Sequence, residues 1–400
     1  MKRPRLRIGS WLRPTLAAGI ISVGVAALFL YHLGSLAPHV SPTEQRTIAA
    51  SQHYSYVVHN PLHASYKTLT WVSLHIPKLP ELWRARLPSV MFGLATIALA
   101  SYILHRWYGR RSATFGFLIF ISSPWILHVT RFAGADITYV FAMTALLAAH
   151  SYLHDHQESL MAWFVWLMVV AYVCFIPGLL WFAVLAAIWQ WRTIGSAWSE
   201  LSIWLKLLSL AIPLGVLGIL AQAFAEDRSL ITTWIGLPAV PSPSLLAHLP
   251  RQLLGTLSFI AWRGHEAPEL WLGDLPLLNA FLLAGLAAGL FFYARHWQAA
   301  RAQMLASYVI LGVLLISLGV VSIGLIVPIL YVIATAGIAY ILHLWLQVFP
   351  RNPLARGFGI ALIALLVGIS CYYSLLQYFV AWPHNPDTKR VYAGTSQVRT

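Results

Sequence analysis

Apolar stretches of membrane-crossing length alternate along this chain with short polar connections, at about 14–33, 87–104, 113–129, 137–153, 160–174, 178–191, 203–221, 275–293, 304–320, 323–346 and 358–376. Most approach the roughly 20 residues that a bilayer requires. Lipid offers no water to backbone amides and carbonyls, so each stretch is predicted to be helical. The pattern predicts an all-α polytopic membrane protein of about eleven transmembrane helices, folded as one integral membrane domain over 1–400. Two long connections, 34–86 and 222–274, interrupt the alternation.

Composition agrees with that pattern. Of 400 residues 59% are hydrophobic and only 10% charged, and the mean hydropathy is +0.71. A water-soluble globule needs more polar surface than this. The first stretch follows a basic head (Lys2, Arg3, Arg5, Arg7, Arg13) but reaches spanning length and has no Ala-x-Ala sequence before Ser41, so it reads as a retained anchor. Cys174 and Cys371 both lie within apolar stretches, which argues against a disulfide framework or a zinc site.

Basic residues near the span ends set the orientation. With the amino terminus in the cytoplasm, the inner segments are 1–13, 105–112, 154–159, 192–202, 294–303 and 347–357, short and mostly basic. Of the twelve acidic residues only Asp155, Glu158 and Glu200 then fall inside. The two long connections and the tail face outward, in a plasma membrane. The net charge of +14 follows from this positive-inside bias and attraction to anionic membrane lipids. No basic run interleaved with aromatics points to nucleic acid. The 18 Trp and 17 Tyr suit interfacial belts.

The first outer segment is organised. Residues 43–53 form a predicted helix capped by Ser41 or Thr43, and 65–76 a second with Leu69, Val72 and Ile76 on its apolar face. Both are expected to lie on the membrane surface. The second outer segment carries Pro238, Pro241, Pro243 and Pro250 before Trp262-Arg263-Gly264-His265-Glu266, and reads as a partly ordered loop packed over the bundle like a lid.

Several ordered motifs stand in this frame: Pro42-Thr43-Glu44-Gln45-Arg46 after the first span, Arg86-Leu87-Pro88-Ser89 opening the second, Gly109-Arg110-Arg111 in the first inner turn, and Ser123-Pro124-Trp125 followed by Arg131 and Asp136. In order and spacing they resemble the C-type (GT-C) membrane glycosyltransferases, the superfamily of protein O-mannosyltransferases and bacterial aminoarabinose transferases. The resemblance covers residues 1 to about 150, with Phe349-Pro350-Arg351-Asn352-Pro353 and 378–389 similar to bacterial members. It implies a GT-C-like bundle that moves a sugar from a polyprenyl-phosphate carrier to a lipid, glycan or protein acceptor on the extracytoplasmic face. Neither a Gly-x-Gly-x-x-Gly nor a Gly-x-x-x-x-Gly-Lys-Ser/Thr sequence is present, and such a donor needs no nucleotide site.

The chain departs from the family at Thr43, where the first acidic residue of an Asp-Glu pair usually stands. A threonine accepts no proton at neutral pH, so Glu44 and Asp136 are the candidate catalytic carboxylates. Glu44 alternatively serves its helix dipole, and Asp136 alternatively pairs with Arg131. A divalent cation (Mg, Ca or Mn) between Glu44 and Asp136 is a further alternative. Lys67 matches a family lysine, though its neighbours do not. With Arg84, Arg86, Arg131, His265 and Glu266 it completes the candidate substrate-binding set. The arginine that often precedes a late Leu-Leu-Pro element is not evident before Val327-Pro328. Glu44, Arg86, Arg131 and Asp136 are expected around one cavity. Two other functions remain open: a degenerate transferase that binds carrier lipid or a partner without turnover, and a lipid or glycolipid transporter. The latter lacks an inverted repeat and paired broken helices.

Overall fold

A computed structural model describes residues 8–37, 39–238, 244–264 and 275–393, and contains no strand among them. The chain opens with α1 (Ile8–Leu30), followed by the small helices α2 (Pro42–Ala49), α3 (Tyr54–His59) and α4 (Ala64–Leu74). Next come α5 (Glu81–Ser122), α6 (Pro124–Arg131) and α7 (Asp136–Asp155). The middle of the chain forms α8 (Leu160–Val173), α9 (Leu180–Trp189), α10 (Trp191–Glu200), α11 (Ile203–Glu226), α12 (Ser229–Ile235) and α13 (Ser244–Ala261). The last part comprises α14 (Ala280–Arg295), α15 (Ala300–Ser317), α16 (Val327–Val348), α17 (Pro353–Leu376), α18 (Trp382–His384) and α19 (Pro386–Ala393).

Among the described residues, α5, α11, α15, the segment Ile323–Val348 and the segment Pro353–His384 are each long and apolar enough to cross a bilayer. Helices α6 and α7 together qualify as one span bent by 116°. Apolar helices α8, α9 and α14 are shorter. Every predicted apolar stretch contains helix, and the molecule is a multi-pass membrane protein. The bounds differ from the hydropathy pattern at identifiable breaks. The second and third predicted spans are continuous in α5 and turn at Gly109, whose φ of 73° and ψ of 171° suit glycine. The third does not continue to 129: Ser123 caps a new helix, α6, through a bond from the Ile126 amide at 3.4 Å, and Pro124 occupies its first turn. The predicted helix over 43–53 corresponds to α2, which stops at Ala49, and the separate α3 begins only at Tyr54. Much of the expected loop over 222–274 is helical, as the end of α11, α12 and α13.

Helix α16 lies at the centre, with the residues from Val327 to Ile338 buried on all sides. Small residues allow its closest approach: a Cβ added to Gly289 would overlap the Ile333 backbone, and one on Gly337 the Gly285 carbonyl. Gly285 and Gly289 are one turn apart on α14, so α14 and α16 pack through a small-xxx-small seam. Helix α11 is the opposite case, with Trp204, Leu207, Leu214 and Leu217 exposed, which is how lipid-facing positions look without a bilayer. At the end predicted to face the cytoplasm, Arg106 of α5 binds Asp155 of α7 through two bonds of 2.5 and 2.8 Å. Helices α2 to α4 cover the opposite end.

Candidate active site

Ser41 begins the site. Its side chain accepts from the Glu44 amide at 3.2 Å, and Glu44 Oε2 accepts from the Ser41 amide at 3.0 Å, a reciprocal cap that starts α2 at Pro42. The same carboxylate meets Arg86 of α5: Nε donates to Oε1 at 2.9 Å and Nη2 to Oε2 at 3.1 Å. A fourth donor, the Ala133 amide, reaches Oε1 at 2.9 Å. A carboxylate has about four lone-pair positions; here each oxygen takes two donors and Glu44 is fully buried. Arg86 is equally engaged. Its remaining N–H groups donate to the carbonyls of Leu33 (2.8 Å), Ala37 (3.0 Å) and His39 (3.3 Å). Glu44, expected as a catalytic base, is thus the closed centre of a buried ion pair joining α2, α5 and the loop before α7. No lone pair is left on it for a substrate proton or a cation. Arg86, expected to bind substrate, has all five N–H groups committed within the protein.

The other expected cations divide. Arg84 donates from Nη1 to the Leu74 carbonyl at 2.9 Å, and the Ser73 hydroxyl donates to the Arg84 carbonyl, so Arg84 fastens α4 to the start of α5. Lys67, on α4, donates to the Asn60 carbonyl at 2.8 Å, and burial lowers its ammonium pKa to about 8. Arg131 ends α6 and does not pair with Asp136. Its guanidinium lies over the rings of Tyr378 and Phe379, 5.4 and 4.9 Å from their centroids, and Nη2 donates to the Tyr31 carbonyl. Its Nε and Nη1 are buried and have no hydrogen-bond partner among the described residues. They border a space of about 10 Å³, water-sized, shared with Arg86, His128 and Tyr378. His265 and Glu266 lie outside the described residues.

Asp136 stands apart from this cluster. It begins α7 just after the turn that carries Ala133, and lines a cavity of about 490 Å³ with Thr43, His63, Trp125, Thr256 and Ser322. The Ser322 hydroxyl is within hydrogen-bonding reach of its carboxyl. The expected single cavity is therefore two neighbouring environments. Glu44, Arg86 and Arg131 converge on one side of the loop at 132–135, and Asp136 faces the other side with Thr43. Among the described residues no group of three His, Cys, Asp or Glu is close enough to hold a metal ion.

His63 was not among the residues singled out in the sequence, where it is one of 16 histidines. Only its position four residues before Lys67, on the same helical face, could have drawn attention to it. Its backbone is left-handed, with φ 57° and ψ 29° at the start of α4. Its amide donates to the Phe175 carbonyl at 2.8 Å, and its Nδ1 lies 2.9 Å from the Thr138 hydroxyl. Burial, aided by the Lys67 charge, lowers its pKa to about 3, so the ring is neutral at physiological pH. A second cavity, about 410 Å³ and mainly apolar, is lined by Trp125, His128, Leu277, Tyr331, Leu366 and Tyr373. Trp125 is common to both cavities, so the carboxylate-bearing chamber and the apolar cleft adjoin at one indole.

No protein-family model matches the chain, and no curated protein matches it either. Solved structures do. ArnT from Cupriavidus metallidurans bound to undecaprenyl phosphate is 17% identical, with a TM-score of 0.53 over 95% of this chain and 78% of that one. The apo structure of the same protein gives the same identity and TM-score over 95% and 77%. At that identity the likeness is one of architecture, and it extends over nearly the whole chain, which shares the fold of ArnT.

Proposed function

We propose that the protein is a glycosyltransferase that moves a sugar from a polyprenyl-phosphate carrier to an extracytoplasmic acceptor, with Asp136 as the general base. The observation that carries this reading is the pairing, at Trp125, of a chamber bearing a carboxylate and hydroxyls with an apolar cleft. A carrier lipid has those two halves. The undecaprenyl phosphate bound to the structurally similar ArnT supports the same assignment. The isoprenoid tail enters the cleft and the sugar the chamber. In the reaction an acceptor hydroxyl oxygen attacks the anomeric carbon as the bond from that carbon to the phosphate oxygen breaks. The hydroxyl proton passes to the Asp136 carboxylate, and the carrier phosphate leaves with the electron pair. Lys67, whose charge bears on His63 in the chamber wall, supplies a cation for that phosphate. Glu44 and Arg86 act through position: they hold the loop at 132–135 from which Asp136 projects.

The test is turnover of undecaprenyl-phosphate sugars by the protein in liposomes. Asp136→Asn should lower kcat by roughly 10² to 10⁴ while carrier binding persists. A folded Asp136→Asn protein with wild-type turnover overturns the assignment. A second reading, carrier-lipid binding without turnover, is favoured by Thr43 at the family's acidic position and by the saturation of Glu44. Carrier binding with no sugar consumption by the wild type would select it.

A further inference from the structure

The Asp136 chamber is built for a particular kind of head group. Five of its wall residues carry hydroxyls, Thr43, Thr47, Tyr139, Thr256 and Ser322, while Trp125, Tyr139 and Phe259 supply aromatic surface. Sugars present these two complements, hydroxyls at their edges and C–H faces that lie on aromatic rings. Among the described residues no lysine or arginine lines the chamber.

His63 adds a fixed acceptor. The Thr138 hydroxyl donates to the Ala135 carbonyl at 2.6 Å, so its oxygen is free to accept, and the 2.9 Å contact with His63 is donation from Nδ1–H. That sets the tautomer: Nε2 carries the lone pair. The ring is held further by an edge-on contact with Tyr139, 5.5 Å between centroids. With Nδ1 committed to α7, the Nε2 edge is the part of the ring left to face the chamber. A left-handed histidine backbone costs free energy and persists because its surroundings impose it. Here the amide bond to Phe175 and the ring bond to Thr138 impose it together. The titratable and charged groups nearest the ring are Lys67 on α4 and Asp136 and Tyr139 on α7.

We propose that His63 is a specificity residue of the donor-sugar site, its Nε2 accepting a hydrogen bond from a sugar hydroxyl, and that the chamber selects sugars without negative charge. The inference rests on the transferase reading and adds the substrate class. A uronic acid would set its carboxylate beside Asp136 with no cation in the wall to offset it. An uncharged hexose or pentose brings no charge to repel Asp136 and meets hydroxyls, the imidazole acceptor and aromatic faces among the wall residues.

The experiment measures binding to the protein in nanodiscs of bare undecaprenyl phosphate and of undecaprenyl phosphate carrying glucose, mannose, arabinose or glucuronic acid. Wild type should bind at least one neutral-sugar form more tightly than the bare carrier, and the glucuronyl form no more tightly. Asn tolerates the left-handed conformation, and its side-chain amide can occupy the place of Nδ1. His63→Asn therefore keeps the fold and the Thr138 bond while removing Nε2. It should lose roughly 3- to 10-fold of the sugar-dependent affinity with bare-carrier affinity unchanged. His63→Gln, whose amide reaches the Nε2 position, should restore part of it. A purely structural role for His63 leaves Asn equal to wild type, which would overturn the proposal, as would tightest binding of the glucuronyl form or no sugar-dependent affinity in wild type. Failure of the transferase reading appears separately, as normal turnover by Asp136→Asn or as carrier binding without sugar consumption.

Discussion

Replacing Glu44 by Gln should unfold the site rather than merely silence it. Four donors surround the carboxylate: the amides of Ser41 and Ala133 and two nitrogens of Arg86. Glutamine keeps one acceptor oxygen and substitutes an NH₂ for the other, so two donors would face donors. Arg86, which is 3% exposed, would keep a charge with no counterion. Removing one partner of such a pair costs about 3–5 kcal/mol, a large share of a stability of about 5–15 kcal/mol. A carboxylate serving only the helix dipole would cost about 0.3–1 kcal/mol. A true general base would cost 10²- to 10⁴-fold in kcat with little change in stability.

These magnitudes separate in one measurement, thermal unfolding in detergent or nanodiscs read beside turnover. Glu44→Gln should melt well below wild type. The double variant Glu44→Leu/Arg86→Met should recover much of the loss, because a paired apolar replacement leaves no buried charge uncompensated. A Glu44→Gln protein that melts like wild type yet has lost turnover would return the carboxylate to catalysis and refute this reasoning.

Lys67, with its pKa lowered to about 8, should lose its charge as the pH rises through that value, so donor KM should increase above about pH 8 in wild type and stay flat in Lys67→Arg; equal profiles would exclude a phosphate contact. His63 has a folded pKa of about 3 against an ordinary 6.5, so its contribution to stability is complete above pH 6.5 and lost as the pH falls toward 3. His63→Asn should therefore flatten the acid limb of a melting-temperature profile. Gly289→Leu should abolish folding or cut yield severely, since its Cβ meets the Ile333 backbone, whereas Gly218→Leu, with open space around it, should behave like wild type in size-exclusion and thermal assays. In a background with Cys174 and Cys371 replaced, cysteine at exposed Gln52 should label from outside intact cells and cysteine at exposed Gln298 only after permeabilisation; the reverse would invert the topology.

Hydropathy made the helical class legible because lipid enforces it on every long apolar stretch. It could not show which helix lies at the centre. Helices α11 and α16 are both apolar throughout, with mean hydropathies of 2.1 and 2.4 in their best windows, yet most of one faces outward and most of the other is buried. In a soluble protein polarity would have told the two faces apart; here the surrounding lipid is as apolar as the core. The small residues of the α14 and α16 seam were the available signal. The breaks at Gly109 and Ser123-Pro124 show the converse limit, since a continuous apolar window conceals a turn that depends on one or two residues.

The site was legible in its residue types and not in their roles, and Glu44 shows why. Its place after the first span and its three-residue spacing from Ser41 predict a cap, a base or both, because a carboxylate is suited to each. What decides is the rest of its coordination, and those partners lie 42 and 89 residues away, at Arg86 and Ala133. No local pattern encodes such distances. Asp136 has an ordinary setting in sequence, at the start of a helix, but stands in the chamber wall because α6 and α7 bend between Arg131 and Asp136. That bend turns two charges five positions apart toward different spaces, which removes the ion pair their spacing suggested. Thr43 then has a physical reading: it lines the same chamber as Asp136, so a hydroxyl at position 43 leaves a single carboxylate there among the described residues. A lone carboxylate avoids the like-charge repulsion that would raise the pKa of a second one. Thr43→Asp should accordingly perturb the pH–rate profile of the proposed transfer reaction rather than restore a missing function; an unchanged profile would mean that the two side chains do not share one electrostatic environment.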